Sequence, residues 1–172
     1  MFSKLQTILL CISLTLLLSA CGGGGGGGNT PSTPPTKAII KVSVSGVPTD
    51  GTLVGGIKAA FTLPTGTYLP IDASTGEIST GIVTLSGVAN GSLSAPNYDQ
   101  ATRLVSFGII NATGFGNGEI LTITASITAG ATVRESDFPT NAAISPSPLQ
   151  LIDVINLNPI VGAACPISVT LQ

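Results

Sequence analysis

From residue 38 onward, apolar and polar positions alternate along the chain with a period of two. Ile40, Val42 and Val44 alternate with Lys41, Ser43 and Ser45, and Ile57, Ala59, Phe61 and Leu63 alternate with Lys58, Ala60 and Thr62. Val83 and Leu85 flank Thr84, and Val105, Phe107 and Ile109 flank Ser106 and Gly108. The most regular run interleaves Leu121, Ile123, Ala125 and Ile127 with Thr122, Thr124 and Ser126. Successive side chains of a strand point to opposite faces, so each run predicts a strand with one apolar face. Shorter runs over 150–155 and 167–171 extend the set. Turn signals separate the runs at Asp50-Gly51, Pro64-Thr65-Gly66, Ser74-Thr75-Gly76, Asn90-Gly91 and Asn117-Gly118. Gly or Pro interrupts every stretch that would otherwise sustain a helical period. Residues 38–172 are therefore expected to form a single all-β domain, an antiparallel two-sheet sandwich of at least seven strands. The proline-rich stretch 139–148 reads as a crossover at one end of it.

The N-terminus follows a different pattern. Lys4 precedes an almost wholly apolar stretch over residues 5–18. As a helix that stretch would reach about 21 Å, short of the roughly 30 Å hydrocarbon core, so it reads as a signal segment and not as a membrane span. It ends in Leu18-Ser19-Ala20-Cys21, which resembles the lipobox of bacterial lipoproteins. The resemblance implies cleavage before Cys21, diacylglycerol on its thiol and a further acyl chain on its amine, which exceeds what stable anchoring requires. An ordinary secretory signal with a cysteine at the cut is the alternative. Gly22 stands where the family's inner-membrane retention signal has aspartate, so the resemblance implies lipid anchoring at the outer membrane, on its periplasmic face or at the cell surface. Residues 1–20 are thus read as a signal peptide and 21–37 as the acylated cysteine and a tether. An unbroken glycine tract over 22–28 runs into Pro31, Pro34 and Pro35; it cannot fold by itself, and roughly sixteen such residues reach roughly 20–25 Å.

Composition narrows the chemistry. The chain has no His, so no imidazole serves as base, triad member or metal ligand. Six Lys and Arg never cluster and face eight carboxylates, which excludes nucleic-acid binding through a basic patch. Only 8 % of residues are charged, so Thr and Ser must solvate the sheet faces. A sequence pI near 4.7 leaves anchoring to the acyl chains on Cys21 and not to attraction by anionic lipid.

Few residues are left as candidates. Asp72 and Glu77 flank a glycine turn and are the one candidate Ca²⁺ pair; the rest of a calcium loop is missing, and a solvated hairpin turn is the plainer reading. Glu135 and Asp137 beside Arg134 read as a polar loop before an acidic rim. Gly114-Phe115-Gly116-Asn117-Gly118 leads into an alternating strand and so reads as a hairpin loop, not a dinucleotide loop. Cys165, amid small apolar neighbours, is expected to be buried, with no histidine to activate it. Phe61 and Phe107 fall on inward faces. Tyr68, Tyr98 and Phe115 fall in or near loops and are the possible ligand contacts. Carboxylates alone are the only means left for a hydrolase, and no cofactor is expected.

The order of segments resembles the cohesin-type and related carbohydrate-binding jelly-roll modules. The first strand over 38–47 is followed by Gly55-Gly56-Ile57-Lys58-Ala59-Ala60-Phe61, then Tyr98-Asp99, then Gly118-Glu119-Ile120-Leu121-Thr122-Ile123-Thr124-Ala125. Ala125 replaces the usual aromatic, and Asp99 is followed by Gln100 where the family has proline. The resemblance implies a non-catalytic docking or adhesion module for a protein partner. A polysaccharide-binding module, or a purely structural envelope lipoprotein, is the alternative.

Overall fold

A computed structural model of the chain describes residues 33–143 and 150–172. The signal segment, Cys21 and the glycine tract lie outside the described residues, as does the second half of the expected crossover. Among the described residues there are ten strands: β1 (Lys37–Val44), β2 (Val54–Thr62), β3 (Thr67–Tyr68), β4 (Val83–Leu85), β5 (Leu93–Asp99), β6 (Leu104–Phe115), β7 (Gly118–Ile127), β8 (Asn141–Ala142), β9 (Gln150–Asp153) and β10 (Cys165–Leu171). They form a β-sandwich. One sheet runs β3-β7-β1-β10-β8, with β4 also on β7; the other runs β5-β6-β2-β9, and every pairing is antiparallel.

The alternation seen in sequence is the alternation of burial. Ala38, Ile40, Val42 and Val44 of β1 and Leu121, Ile123, Ala125 and Ile127 of β7 face Ile57, Ala59 and Phe61 of β2 and Val105, Phe107 and Ile109 of β6. Where β1 passes Val42, β7 carries one extra residue, and the bulge turns both Ile120 and Leu121 inward. Cys165 is fully buried in the same core.

Gly55 and Gly46 are among the glycines that meet close approaches. A Cβ on Gly55 would lie 2.7 Å from the Cα of Val154, so the β2 bulge can only be built without one. Gly46 has φ +76°, and its Cβ would meet the Gly162 carbonyl at 2.7 Å.

Three strands were not in the expected set. β3 and β8 are two-residue pairings, too short to show alternation. β5 contains Pro96 and Asn97, which suppress strand propensity; it forms because it is an edge strand, where a missing ladder donor is tolerated. The described part of the 139–148 stretch does pass between sheets: Asn141 and Ala142 pair with β10, and Ala143 then bridges to Ala60 of β2.

The two ends of the sandwich differ. The chain enters at one pole, where Thr36 and Lys37 donate to the Gln172 carbonyl and Thr36 accepts from Ile127. The turns at 63–66 and 99–104 lie at that proximal pole. β1 then runs eight residues, roughly 26 Å, to the distal pole. There Ser45 bridges to Ala164, Asn117 bonds both backbone groups of Val47, and Leu53 accepts from Val154.

Two outcomes are expected. Ile123→Ala removes a fully buried side chain from the sheet interface and should cost about 2–5 kcal/mol by denaturant unfolding, against near-neutrality for Thr124→Ala on the outer face. Burial pushes the Cys165 thiol up to about 12. The folded state therefore keeps a proton that the unfolded thiol loses near pH 9, so stability should fall between about pH 9 and pH 12 and not below it. That component should vanish in Cys165→Ala, and Cys165 should resist alkylation at neutral pH until the protein unfolds.

Candidate functional site

The residues singled out in sequence do not converge. Phe115 is 5 % exposed and packs in the core at the distal pole; this corrects the expectation that its loop would present the ring. The reason is that β6 extends through Phe115, which pairs with Val54 and turns inward. Tyr98 and Tyr68 lie toward the proximal pole. Tyr98 faces inward from β5 and packs against the core, and burial raises its phenol above the ordinary range while the Leu69 backbone and the Arg103 guanidinium act the other way. Tyr68 is 45 % exposed and stands alone on its two-residue strand.

The carboxylates shape turns. Asp72 accepts from the Ser74 amide at 2.8 Å and its hydroxyl at 2.6 Å, which hold it below the usual carboxylate range. Its backbone closes the turn through the Glu77 carbonyl, beside a bridge between Ile71 and Ile78. Asp137 accepts from the Arg134 amide and Glu135 from the Leu171 amide. Glu119 takes the Lys41 ammonium at 2.8 Å on the outer face of the six-stranded sheet. Among the described residues no three metal-ligating side chains come together.

What sequence reasoning missed is the segment after β9. Beyond Asp153 no residue of the chain carries a charged side chain. Over residues 154–164 the chain loops across the distal pole, and Ile155, Leu157 and Val161 are 76 %, 74 % and 90 % exposed there. Leu157 has φ +54°, a left-handed conformation that costs a non-glycine residue roughly 1–2 kcal/mol. The loop is held from below. Asp153 accepts from the amides of Ile155 at 2.6 Å and Asn156 at 3.1 Å, and the Asn158 carbonyl accepts from Asp153. The Asn156 and Ile155 amides keep the Asp153 carboxyl below the usual range against the opposing effects of burial and of Asp50. The fixed turn aims three aliphatic side chains into solvent. The signal available in sequence was Ile-Asn-Leu-Asn-Pro-Ile-Val itself, an apolar run with turn formers at the alternate positions and no charge.

Because the Asp153 carboxylate organises this turn, amide exchange at Ile155 and Asn156 should be slow at neutral pH. Their protection, taken against the intrinsic exchange rate at each pH, should fall as pH drops below the ordinary carboxylate range, and it should already be low at neutral pH in Asp153→Ala, as read by hydrogen exchange with residue resolution.

Compared with known proteins, the chain matches no protein-family model and no curated sequence.

Proposed function

We propose that this chain is a lipid-anchored envelope protein whose β-sandwich serves as a non-catalytic docking module, its contact surface centred on the apolar loop over 154–164. The observation that carries this reading is the polarity of the domain. The chain enters at the proximal pole, and Ile155, Leu157 and Val161 stand at the other, with Val88 also exposed at that end. Covering an exposed aliphatic side chain contributes about 1.5–3 kcal/mol, so three of them on one loop suffice to centre an interface. The exposed Asp50, close to Asp153 under the loop, favours a partner whose apolar contact is edged by basic residues. A tethered domain meets envelope partners at raised effective concentration. The polysaccharide alternative has less behind it, since Tyr68 alone offers an exposed ring and a single ring makes a poor sugar platform.

The test is co-purification of a partner from native membranes with full-length protein, set beside Leu157→Asn and a Cys21→Ser control. Asparagine tolerates positive φ, so Leu157→Asn should hold or raise Tm by a few degrees while partner recovery drops at least tenfold. Recovery unchanged by Leu157→Asn would refute the assignment of the loop. Mass spectrometry of the N-terminal peptide should find Cys21 acylated, and an unmodified cysteine would refute the anchor.

A further inference from the structure

The two outer faces of the sandwich are built differently. On the six-stranded sheet Lys41, Glu119, Thr84, Thr122 and Thr124 cover the surface. On the four-stranded sheet most outward positions are small or aliphatic. Register sets Leu93, Ile110, Gly56 and Ile152 in one row across the strands, Ala95, Gly108, Lys58 and Gln150 in the next, and Asn97, Ser106 and Ala60 in a third. The result is an open cleft of about 570 Å³, within the range of small-molecule sites. Leu93 and Ile110, 76 % and 65 % exposed, stand over it, and among the described residues Lys58 is the one charged side chain that lines it. Among the described residues Lys58 has no salt-bridge partner, whereas Lys41 on the opposite sheet has Glu119.

Of the two glycines in this cleft, Gly56 borders the β2 bulge, whereas Gly108 sits in a regular ladder between Ala95 and Lys58. Gly56 and Gly108 are in strand interiors, where glycine is destabilising by roughly 0.5–1 kcal/mol relative to alanine. Neither has positive φ, and a Cβ on either would meet nothing nearer than 3.9 Å. Glycine in a strand away from a bulge or bend often marks a site where a ligand or another backbone approaches closely, and Gly108 is such a position.

We propose that this cleft binds a long-chain monocarboxylate, with the alkyl chain lying over Gly108, Ala60 and Ser106 between Leu93, Ile110 and Ile152, and the carboxylate paired with Lys58. Three features select that occupant. β6 and β2 have neighbours on both sides, so their ladders leave the sheet face with no backbone donors or acceptors to offer. An extended peptide laid there would bury its own amides unpaired, whereas an alkyl chain has none to satisfy. A single cation in an apolar lining matches a single anionic head. A second copy of this face, stacked about a two-fold axis, would instead bring like-charged Lys58 side chains together. This site is separate from the distal loop and stands whether or not that loop docks a protein.

The test uses full-length protein and a diazirine-bearing hexadecanoate, with cross-linked peptides mapped by mass spectrometry. Labelling is expected in β5 and β6, displaced by unlabelled hexadecanoate and at least tenfold less well by hexadecanol or an anionic lysophospholipid. Gly108→Val places a side chain in the trough, and Lys58→Glu reverses the charge at an exposed position. Each should reduce labelling at least tenfold with Tm within a few degrees of the parent. Lys58→Gln, which cannot disturb the core, should weaken displacement by hexadecanoate but not by hexadecanol. Labelling absent from β5 and β6, unchanged by Gly108→Val and Lys58→Glu, or displaced equally by hexadecanol or the lysophospholipid overturns the assignment.

Discussion

Two sheets whose inner faces are almost wholly apolar must lie against each other, and the rest of the domain is arranged around that condition. The inward rows of β1 and β7 meet those of β2 and β6 through Ile40, Val42, Ile123, Phe61, Phe107 and Ile109. Burial of such side chains drives the fold, and it fixes register as well, because a one-residue slip would turn each row outward. The polar groups that become buried with them are provided for. Thr67 donates to the Pro64 carbonyl and Asp153 accepts from its own turn, and no buried side-chain polar atom among the described residues lacks a partner. With register fixed, the identity of every outward position is fixed too, and this places both the apolar loop and the cleft.

The domain treats its surfaces unequally. With so few charges available, Thr and Ser hydroxyls solvate the six-stranded sheet, and a lone Lys41–Glu119 pair adds little at an exposed site. On the four-stranded sheet that solution is not used, and on the distal loop the outward residues are aliphatic around a strained Leu157. Exposed apolar groups and an unfavourable φ both work against stability and solubility. Their concentration on the distal loop and on one sheet face makes a functional cause the simplest account.

The β-sandwich was legible because alternation at period two is a direct image of inside and outside. It worked best in β7, β1 and β6, where apolar residues recur without a break. β5 escaped because an edge strand accommodates Pro96 and pairs on one side only. Phe115 was misplaced because a glycine-rich neighbourhood reads as loop, while the strand continues through Gly114 and carries the ring inward. The cleft was hidden for a different reason. Gly56, Lys58 and Ala60 look unremarkable along β2, and only the register that sets them beside Gly108 and Ser106 shows that the polar side of two strands is nearly empty of polar groups. The exposed loop was legible in composition but not in direction, since an apolar run reads equally well as core.

The proposed docking role depends on contact through the pole opposite the chain's point of entry. It is tested most directly by placing a photo-cross-linking amino acid at position 157 or, separately, at position 68 in the full-length protein, and irradiating intact cells. The account predicts a discrete protein adduct from position 157 and none from position 68, which sits toward the proximal pole. An adduct from position 68 alone, or the same adduct from both, would contradict it.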